Sequence, residues 1–228
     1  MNKKINISII GTRGYPYVYS GYETFVKQLS ERLVLKDCNV TVYCHKGLFE
    51  IRPKEIKGIK LVYVPTIETK ILSQPIHSFL SIIHACFSNT DVLLVVNSAN
   101  GPFGLLTKLF KVPTAINVDG LEWLRPKWKG LGSIYFKWAS KMATLFYDQI
   151  INDSEEMRKV YLNLFKRDSK VIAYGADIRK SKNPDLINKW NLKQREYYLV
   201  IGRLIPDNNA DLIIKGFLKS SSKKKLVI

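Results

Sequence analysis

The sequence predicts an α/β protein built on a Rossmann-like, doubly wound parallel sheet. Short β-rich runs alternate with segments of helical spacing, which is typical of parallel strands covered by helices on both faces. The β-rich runs lie at 5–10, 39–44, 59–64, 91–96, 113–118, 148–152 and 170–173, and the helical segments at 21–35, 71–87, 102–110, 131–147 and 154–164. The run 91–96 is apolar after its first residue, as expected of a central buried strand.

The first strand leads through a glycine-bearing loop into the first helix. Gly11 and Gly14 follow the run 5–10, and the helical pattern begins at Ser20 and Gly21. Such a junction aims backbone N–H groups and the positive end of a helix dipole at an anion. The spacing matches neither Gly-x-Gly-x-x-Gly nor Gly-x-x-x-x-Gly-Lys-Ser/Thr. A phosphate-binding loop of unspecified kind and a plain strand-to-helix turn are therefore equally open.

The later helices carry start signals, and the composition changes after a first domain predicted at 1–178. Pro75 and Pro102 suit the first turn of a helix, and Ser154 suits the cap of the helix after it. Residues 179–195 are polar and basic and are predicted to form a linker. A strand at 197–201, a helix from about 208 to 221 and a strand at 225–228 follow. Because one β-α-β unit cannot bury both of its faces, 196–228 is predicted to be the start of a truncated second Rossmann-like domain.

The amino-acid composition indicates which classes of partner and which cellular compartment suit the protein. Hydrophobic residues make up 46 % of 228 residues, enough for a large core, and the formal net charge is +17. This excess of cations predicts an anionic partner, such as nucleic acid, an acidic membrane surface or a phosphorylated substrate. The three cysteines show no paired spacing, which fits a reducing compartment. No apolar stretch suits a signal peptide or a membrane span. We therefore expect a cytoplasmic protein, peripheral at the inner face of the plasma membrane.

Polar loops follow several of the predicted strands, at 11–21, 97–101, 119–123, 153–154 and 174–177. In a doubly wound sheet, ligands bind outside the carboxyl ends of the strands, so these loops should open onto one rim. The densest segment holds Asp119, Glu122, Trp123, Arg125 and Lys127. Carboxylates accept hydrogen bonds from hydroxyl groups, and aromatic rings pack against sugar C–H surfaces. A carbohydrate site is favoured over a core-filling loop, because a buried loop would not need so many charges.

Residues 124–142 carry five cations and no acid, with aromatic residues among them. A basic amphipathic segment of this kind predicts binding to an anionic membrane surface, although a solvated basic face above an ordinary core face is equally open. The three histidines lack metal-ligand spacing, and no Asp-x-Asp occurs, so no metal is expected. Glu23 and Glu31, both on the first helix, are interpreted as charges on the helix surface.

These motifs together resemble a bacterial glycosyltransferase of family 4, with the two-domain GT-B architecture. The similarity is greatest to the subgroup whose N-terminal domain occurs in rhamnosyltransferases of capsule and O-antigen synthesis. The matching segments are 10–14, 20–25, 117–123, 127–128, 153–154, 174–177 and 202–204. Asp119 stands where the wider family has a histidine, which is the variant of this subgroup. The lysine usually found shortly after the position of Arg203 is absent.

The resemblance implies transfer of a sugar, rhamnose by analogy with the subgroup, from a nucleotide diphosphate sugar to a lipid-diphosphate-linked glycan, with retention of configuration. It implies no cofactor and no metal, because helix dipoles and cationic side chains stabilise the leaving diphosphate. It assigns catalysis to Asp119, and donor diphosphate binding to Gly14, Ser20, Gly21 and Arg203. It assigns acceptor binding to Asn97, Asn100, Glu122, Trp123 and Lys127. Since the donor motif of the family, Glu-x7-Glu, lies beyond residue 228, the chain alone is expected to be inactive.

Two other classes of function remain open. Gly11-x-x-Gly14 and the charge superficially suggest a KH-type RNA-binding module, but that loop joins two helices, whereas this one follows a strand. No nucleic-acid partner is therefore expected. The second alternative is a non-catalytic remnant that binds a partner or a membrane.

Overall fold

The computed structural model describes residues 3–67, 69, 71–178 and 180–228. Two compact units divide the chain. The first comprises Met1–Trp123 and Gly130–Tyr174, and the second comprises Leu124–Lys129 and Gly175–Ile228. The predicted limits of the domains and of the linker at 179–195 stay predictions.

The first unit is built on an eight-stranded sheet. Its strands are β1 (Asn6–Ile10), β2 (Asn39–His45), β3 (Glu55–Ile56), β4 (Ile59–Val64), β5 (Val92–Val96), β6 (Thr114–Val118), β7 (Gln149–Asn152) and β8 (Lys170–Val171). Their spatial order is β3-β4-β2-β1-β5-β6-β7-β8, and every pair except β3–β4 is parallel. The predicted α/β, Rossmann-like fold class is therefore confirmed.

Five α-helices accompany this sheet: α1 (Gly21–Leu35), α2 (Ser73–Cys86), α3 (Gly104–Leu109), α4 (Leu131–Phe146) and α5 (Glu155–Phe165). Short 3-10 helices lie at Lys46–Leu48, Ser98–Phe103 and Glu122–Leu124. In the strand order, α1 connects β1 to β2, which lies on the β3 side of β1. The connections that contain α2, α3, α4 and α5 each lead to a strand nearer the β8 edge. Because crossovers between parallel strands are right-handed, α1 lies on one face and α2 to α5 on the opposite face.

The core under α1 shows how the apolar strands fix the position of this helix. Ile9 of β1 is paired with Val42 of β2 and with Leu94 of β5. Val26 of α1 packs into the same buried cluster, and Val26 and Ile9 are both fully buried. Burying the apolar stripe of α1 therefore holds the N-terminus of that helix at the carboxyl ends of the strands.

The connection between β5 and β6 differs from its predicted form. One helix is predicted at 102–110, whereas the chain forms the 3-10 helix Ser98–Phe103 and then α3. Gly101 explains the tight packing there, because a Cβ atom on it would lie 1.9 Å from the carbonyl oxygen of Ala139 on α4. The 3-10 helix thus seats directly on the backbone of α4.

The second unit has a small parallel pair of strands, β9 (Tyr197–Leu199) and β10 (Lys225–Val227), joined through α6 (Ala210–Leu218). Among its described residues the second unit also contains 3-10 helices at Pro184–Trp190 and Pro206–Asn208. In the part of the chain that the structure describes, no helix combines the length and the apolar character that crossing a membrane requires.

Candidate functional site

Asp119 lies at the carboxyl end of β6, where side chains from three distant segments meet. The Tyr22 hydroxyl, in the first turn of α1, donates a short hydrogen bond to Oδ1 of Asp119. The Tyr174 hydroxyl, beyond β8, donates to Oδ1 of Asn117 (2.8 Å) and, sharing the same proton, to Oδ2 of Asp119 (3.3 Å). Packing of the Tyr174 ring on Phe25 of α1, with 5.1 Å between ring centroids, helps to fix that phenol. The Asp119 carboxylate is thus clamped between two phenols.

The electrostatic setting of Asp119 shifts the pKa of its carboxyl upward. Burial raises the pKa of the Asp119 carboxyl above its usual range, and the negative charges of Asp153 and Glu122 act in the same direction. The hydrogen bonds from Tyr22 and Tyr174 oppose this rise by stabilising the carboxylate. Burial and the charge of Asp119 in turn raise the pKa of both tyrosines well above its usual value, so both remain hydrogen-bond donors.

The glycine loop between β1 and α1 is organised by an internal carboxylate. Glu23 accepts hydrogen bonds from the backbone N–H of Arg13 (3.2 Å), from the backbone N–H of Ser20 (2.9 Å) and from the Ser20 hydroxyl. Its side chain is almost fully buried, with 4 % exposed. The interpretation of Glu23 as a surface charge is therefore wrong, because its carboxylate is needed to satisfy loop donors next to the helix N-terminus.

Gly14 and Gly21 differ in what surrounds them. Gly14 has φ +125°, and a Cβ atom there would lie 2.7 Å from Cβ of Cys44, so the fold itself requires a glycine. Gly21 is the first residue of α1, and apart from its chain neighbours and the backbone of its own helix no atom lies within 4 Å of the place where a Cβ would stand. Open space at a helix N-terminus leaves room for a ligand to approach. Arg13, whose guanidinium lies 3.8 Å from the centre of the Tyr19 ring, adds a cation to the same loop.

The predicted acceptor residues of the β5 loop are engaged within the fold. Asn97 accepts a hydrogen bond from the backbone N–H of Ala99 (2.9 Å) with φ +76°, and so caps the 3-10 helix. Asn100, 1 % exposed, donates to the carbonyl of Val96 (2.7 Å), and its own carbonyl accepts from Tyr147 (2.9 Å). The structure therefore gives both asparagines a role in shaping the loop, and contact with an acceptor stays a prediction.

The remaining predicted site residues are distributed over both units. Glu122 is half-buried and close enough to raise the pKa of Asp119. Trp123 is 7 % exposed and packs edge-on against Phe165 of α5. Lys127 and Arg203 are exposed and belong to the second unit, and their predicted roles stay predictions.

Three members of the cluster were not singled out in the sequence. Tyr22, Tyr174 and Asp153 all lie in segments recognised as loops or helix starts on the rim, but no role could be given to them there. The sequence signal that could have indicated them is the presence of polar side chains directly after parallel strands, at one rim of the sheet. Hydrogen-bond partners could not be assigned from that signal, because it does not show which loops touch.

The Asp119 carboxylate keeps free acceptor positions that are suited to hydroxyl groups. A carboxylate offers about four acceptor positions, and the two phenols occupy about half of them. The remaining positions can accept hydrogen bonds from a polyhydroxylated ligand. Among the described residues, no group of three or more His, Cys, Asp or Glu side chains is placed to hold a metal ion.

Comparison with known families places this site in context. The family described as a domain of unknown function, DUF1972, matches residues 4–177. The chain belongs to the DUF1972 family. The matched range includes Tyr22, Asp119, Asp153 and Tyr174, so the whole cluster lies inside the family domain. A search of curated proteins finds no match.

Solved glycosyltransferase structures share the fold. Sucrose-phosphate synthase from Thermosynechococcus elongatus matches with a TM-score of 0.75 and 15 % identity, over 98 % of this chain and 61 % of that one. Anabaena HepE in complex with UDP and glucose matches with a TM-score of 0.63 and 12 % identity, over 94 % and 58 %. Arabidopsis thaliana UGT89C1 complexed with UDP-L-rhamnose matches with a TM-score of 0.50 and 13 % identity, over 90 % and 59 %. The DUF1972 chain thus has the GT-B fold and spans about three fifths of the length of these chains.

Proposed function

We propose that the chain is the acceptor-side part of a retaining GT-B glycosyltransferase of family 4, of the rhamnosyltransferase type. The reaction would transfer a sugar, rhamnose by analogy, from a nucleotide diphosphate sugar to a lipid-diphosphate-linked glycan at the inner face of the plasma membrane. By analogy with the subgroup that the sequence resembles, this transfer would belong to capsule or O-antigen synthesis. The observation that carries the proposal is the Asp119 carboxylate, clamped by Tyr22 and Tyr174 at the carboxyl end of β6.

Asp119 would bind hydroxyl groups of the sugar acceptor. The two phenols hold the carboxylate in one orientation. A sugar hydroxyl that donates a hydrogen bond to it therefore finds the carboxylate oxygens already in position. Its raised pKa makes the carboxylate a better proton acceptor than an ordinary aspartate, which suits a group that polarises a reacting hydroxyl. Glu122 and Asp153 add negative charge around the same point, which suits a neutral polyol better than a phosphate.

The donor would bind elsewhere on the rim and in the second unit. The open N-terminus of α1 at Gly21 and the cation of Arg13 are suited to a diphosphate, and Arg203 would contribute from the second unit. Stabilisation of the leaving diphosphate by cations and a helix dipole would need no metal. The UDP-L-rhamnose of UGT89C1 and the UDP of HepE, bound by proteins of the same fold, support a nucleotide sugar as donor.

Acceptor binding tests the proposal on this chain directly. Saturation-transfer NMR would be recorded with geranyl diphosphate linked to glucose, galactose, rhamnose or N-acetylglucosamine. Geranyl diphosphate without a sugar and the methyl glycosides serve as controls for each half of the ligand. We expect transfer to the sugar protons of at least one conjugate, lost in Asp119→Asn. Absence of sugar contacts for every conjugate, or equal contacts in the variant, would contradict the proposal.

A further inference from the structure

The outer face of α4 carries large apolar side chains where a solvated helix carries polar ones. Phe136 and other residues turned inward pack α4 onto the fold. On the opposite side, Leu131, Ile134, Trp138 and Leu145 recur at helical spacing with exposed fractions of 84, 66, 48 and 52 %. A helix that is apolar on both sides is ordinarily covered on both. Its outer face therefore requires an apolar partner.

This exposed surface continues across α3 to α2. Leu109 of α3 is 68 % exposed and Phe79 of α2 is 41 % exposed. The helices are neighbours, because Phe79 meets Phe103, next to α3, with 6.0 Å between ring centroids, and Lys108 of α3 donates to the carbonyl of Leu145 on α4 (3.4 Å). We call the outer surface of these three helices the α2–α4 face. Contiguous exposed apolar surface of this kind marks an interaction site.

The charges on the α2–α4 face all have one sign. The sequences of α2, α3 and α4 contain no Asp or Glu. Lys108, Lys137 and Lys141 on these helices, and Lys111 just after α3, are exposed. The partner must therefore offer apolar contact and negative charge together over an area as broad as three helices.

We propose that the α2–α4 face binds the surface of an anionic lipid bilayer. The leucines and Ile134 would insert among the acyl chains. The ring of Trp138 would lie at the membrane interface, and the lysines would bind anionic headgroups. A second copy of the chain fits less well, since a two-fold contact would bring lysine-bearing faces together. Nucleic acid fits less well too, because its interfaces are polar and have little use for exposed leucines. The inference identifies the surface that would bring the chain to the membrane location in the proposed function, but the observations behind it do not depend on sugar transfer.

The α2–α4 face shares only residues 131–142 with the segment 124–142 singled out in the sequence. That segment is not one helix, since α4 starts at Leu131 and Leu124–Lys129 belongs to the second unit. Binding of that segment to an anionic membrane stays a prediction, and the α2–α4 face extends it from the residues of α4 to α2 and α3.

Vesicle sedimentation of the full chain tests the proposal. We expect binding to phosphatidylcholine vesicles that contain phosphatidylglycerol, weaker binding to pure phosphatidylcholine, and weakening by salt, because exposed charges are screened beyond about 8 Å at physiological ionic strength. The double variant Lys137→Gln/Lys141→Gln should bind about 30-fold more weakly, at about 1 kcal/mol per lysine. The affinity of the double variant Leu131→Ser/Trp138→Ser for these vesicles should fall at least tenfold, because apolar contacts are removed.

Matched controls come from exposed residues outside the α2–α4 face. Lys36→Gln/Lys54→Gln removes two exposed lysines, and Leu35→Ser/Ile51→Ser removes two side chains exposed by 85 and 82 %. These variants should bind like the wild type, and circular dichroism should show all variants folded. Equal losses in face and control variants, no preference for anionic vesicles, or tighter binding to single-stranded RNA would overturn the proposal. So would a dimer in sedimentation equilibrium that the Leu131→Ser/Trp138→Ser variant disrupts.

Discussion

Replacing Asp119 by asparagine should weaken acceptor binding about 30-fold and leave the fold at least as stable. Asn keeps the shape and can still accept from Tyr22, but it carries no charge. A hydrogen bond to a charged group contributes roughly 1.5–3 kcal/mol, against about 0.5–1.5 for a neutral one. With two acceptor positions left for ligand hydroxyls, the loss is about 2 kcal/mol, or about 30-fold in Kd. In an enzyme with its complete donor site, the rate should fall on the order of 10²-fold or more.

The stability of the Asp119→Asn variant follows from the raised pKa. Because the folded state holds the Asp119 proton more tightly than the unfolded chain, this carboxyl contributes stability at low pH. That contribution is lost as pH rises from the ordinary aspartate pKa through the raised folded value. The variant should therefore melt no lower than the wild type at neutral pH, and its relative advantage should shrink in acid.

Titration of the geranyl diphosphate conjugates, with thermal melts across the pH range, measures both effects. Asp37→Asn is the matched control, because Asp37 is an exposed carboxylate in the turn after α1 and should change neither quantity. An affinity within about threefold of the wild type would show that Asp119 merely shapes the loop. A clearly lower melting temperature at neutral pH would refute the linkage argument.

Two further predictions concern the clamp and the packing around it. Tyr22→Phe removes a hydrogen bond that lowers the pKa of Asp119, so the pKa of Asp119 should rise further. NMR titration of the Asp119 carboxyl carbon measures this pKa, and an unchanged or lower value would contradict the clamp. Gly101→Ala places a methyl group against the α4 backbone, so it should cost about 1–3 kcal/mol and lower Tm by roughly 2–10 °C, whereas Gly21→Ala, in open space, should melt like the wild type. Equal melting temperatures for the two alanine variants would refute the packing argument.

Local patterns were sufficient for most of the fold. The strand predicted at 59–64 and the helix predicted at 21–35 have those bounds in the structure, because buried parallel strands are apolar and the stripe of α1 is continuous. The antiparallel β3 was not predicted, since Glu55–Ile56 is too short to show an alternating pattern. The chain at 98–103 was not predicted as a 3-10 helix, because its form depends on the close approach of α4.

The site was predictable in place but not in detail. Asp119 follows a strand on the rim, which singles it out in the sequence, whereas its phenol partners depend on which loops meet. The burial of Glu23 had a readable signal, because Ser20-x-x-Glu23 has the spacing of a capping box. Lys127 and Arg203 belong to the second unit, and neither nearness in sequence nor resemblance determines the unit to which a residue belongs.

The clamp on Asp119 joins segments that fold far apart in sequence. Tyr22 and Asp119 are separated by 97 residues, and Tyr174 and Asp119 by 55. No fragment of the first unit can assemble this site, because it forms only after β1 and β8 have both joined the sheet. A ligand held there would bind the complete unit and not its parts, so it would stabilise the unit against global unfolding. Slowed hydrogen exchange on ligand binding would then extend through the whole sheet, including strands that the ligand never touches.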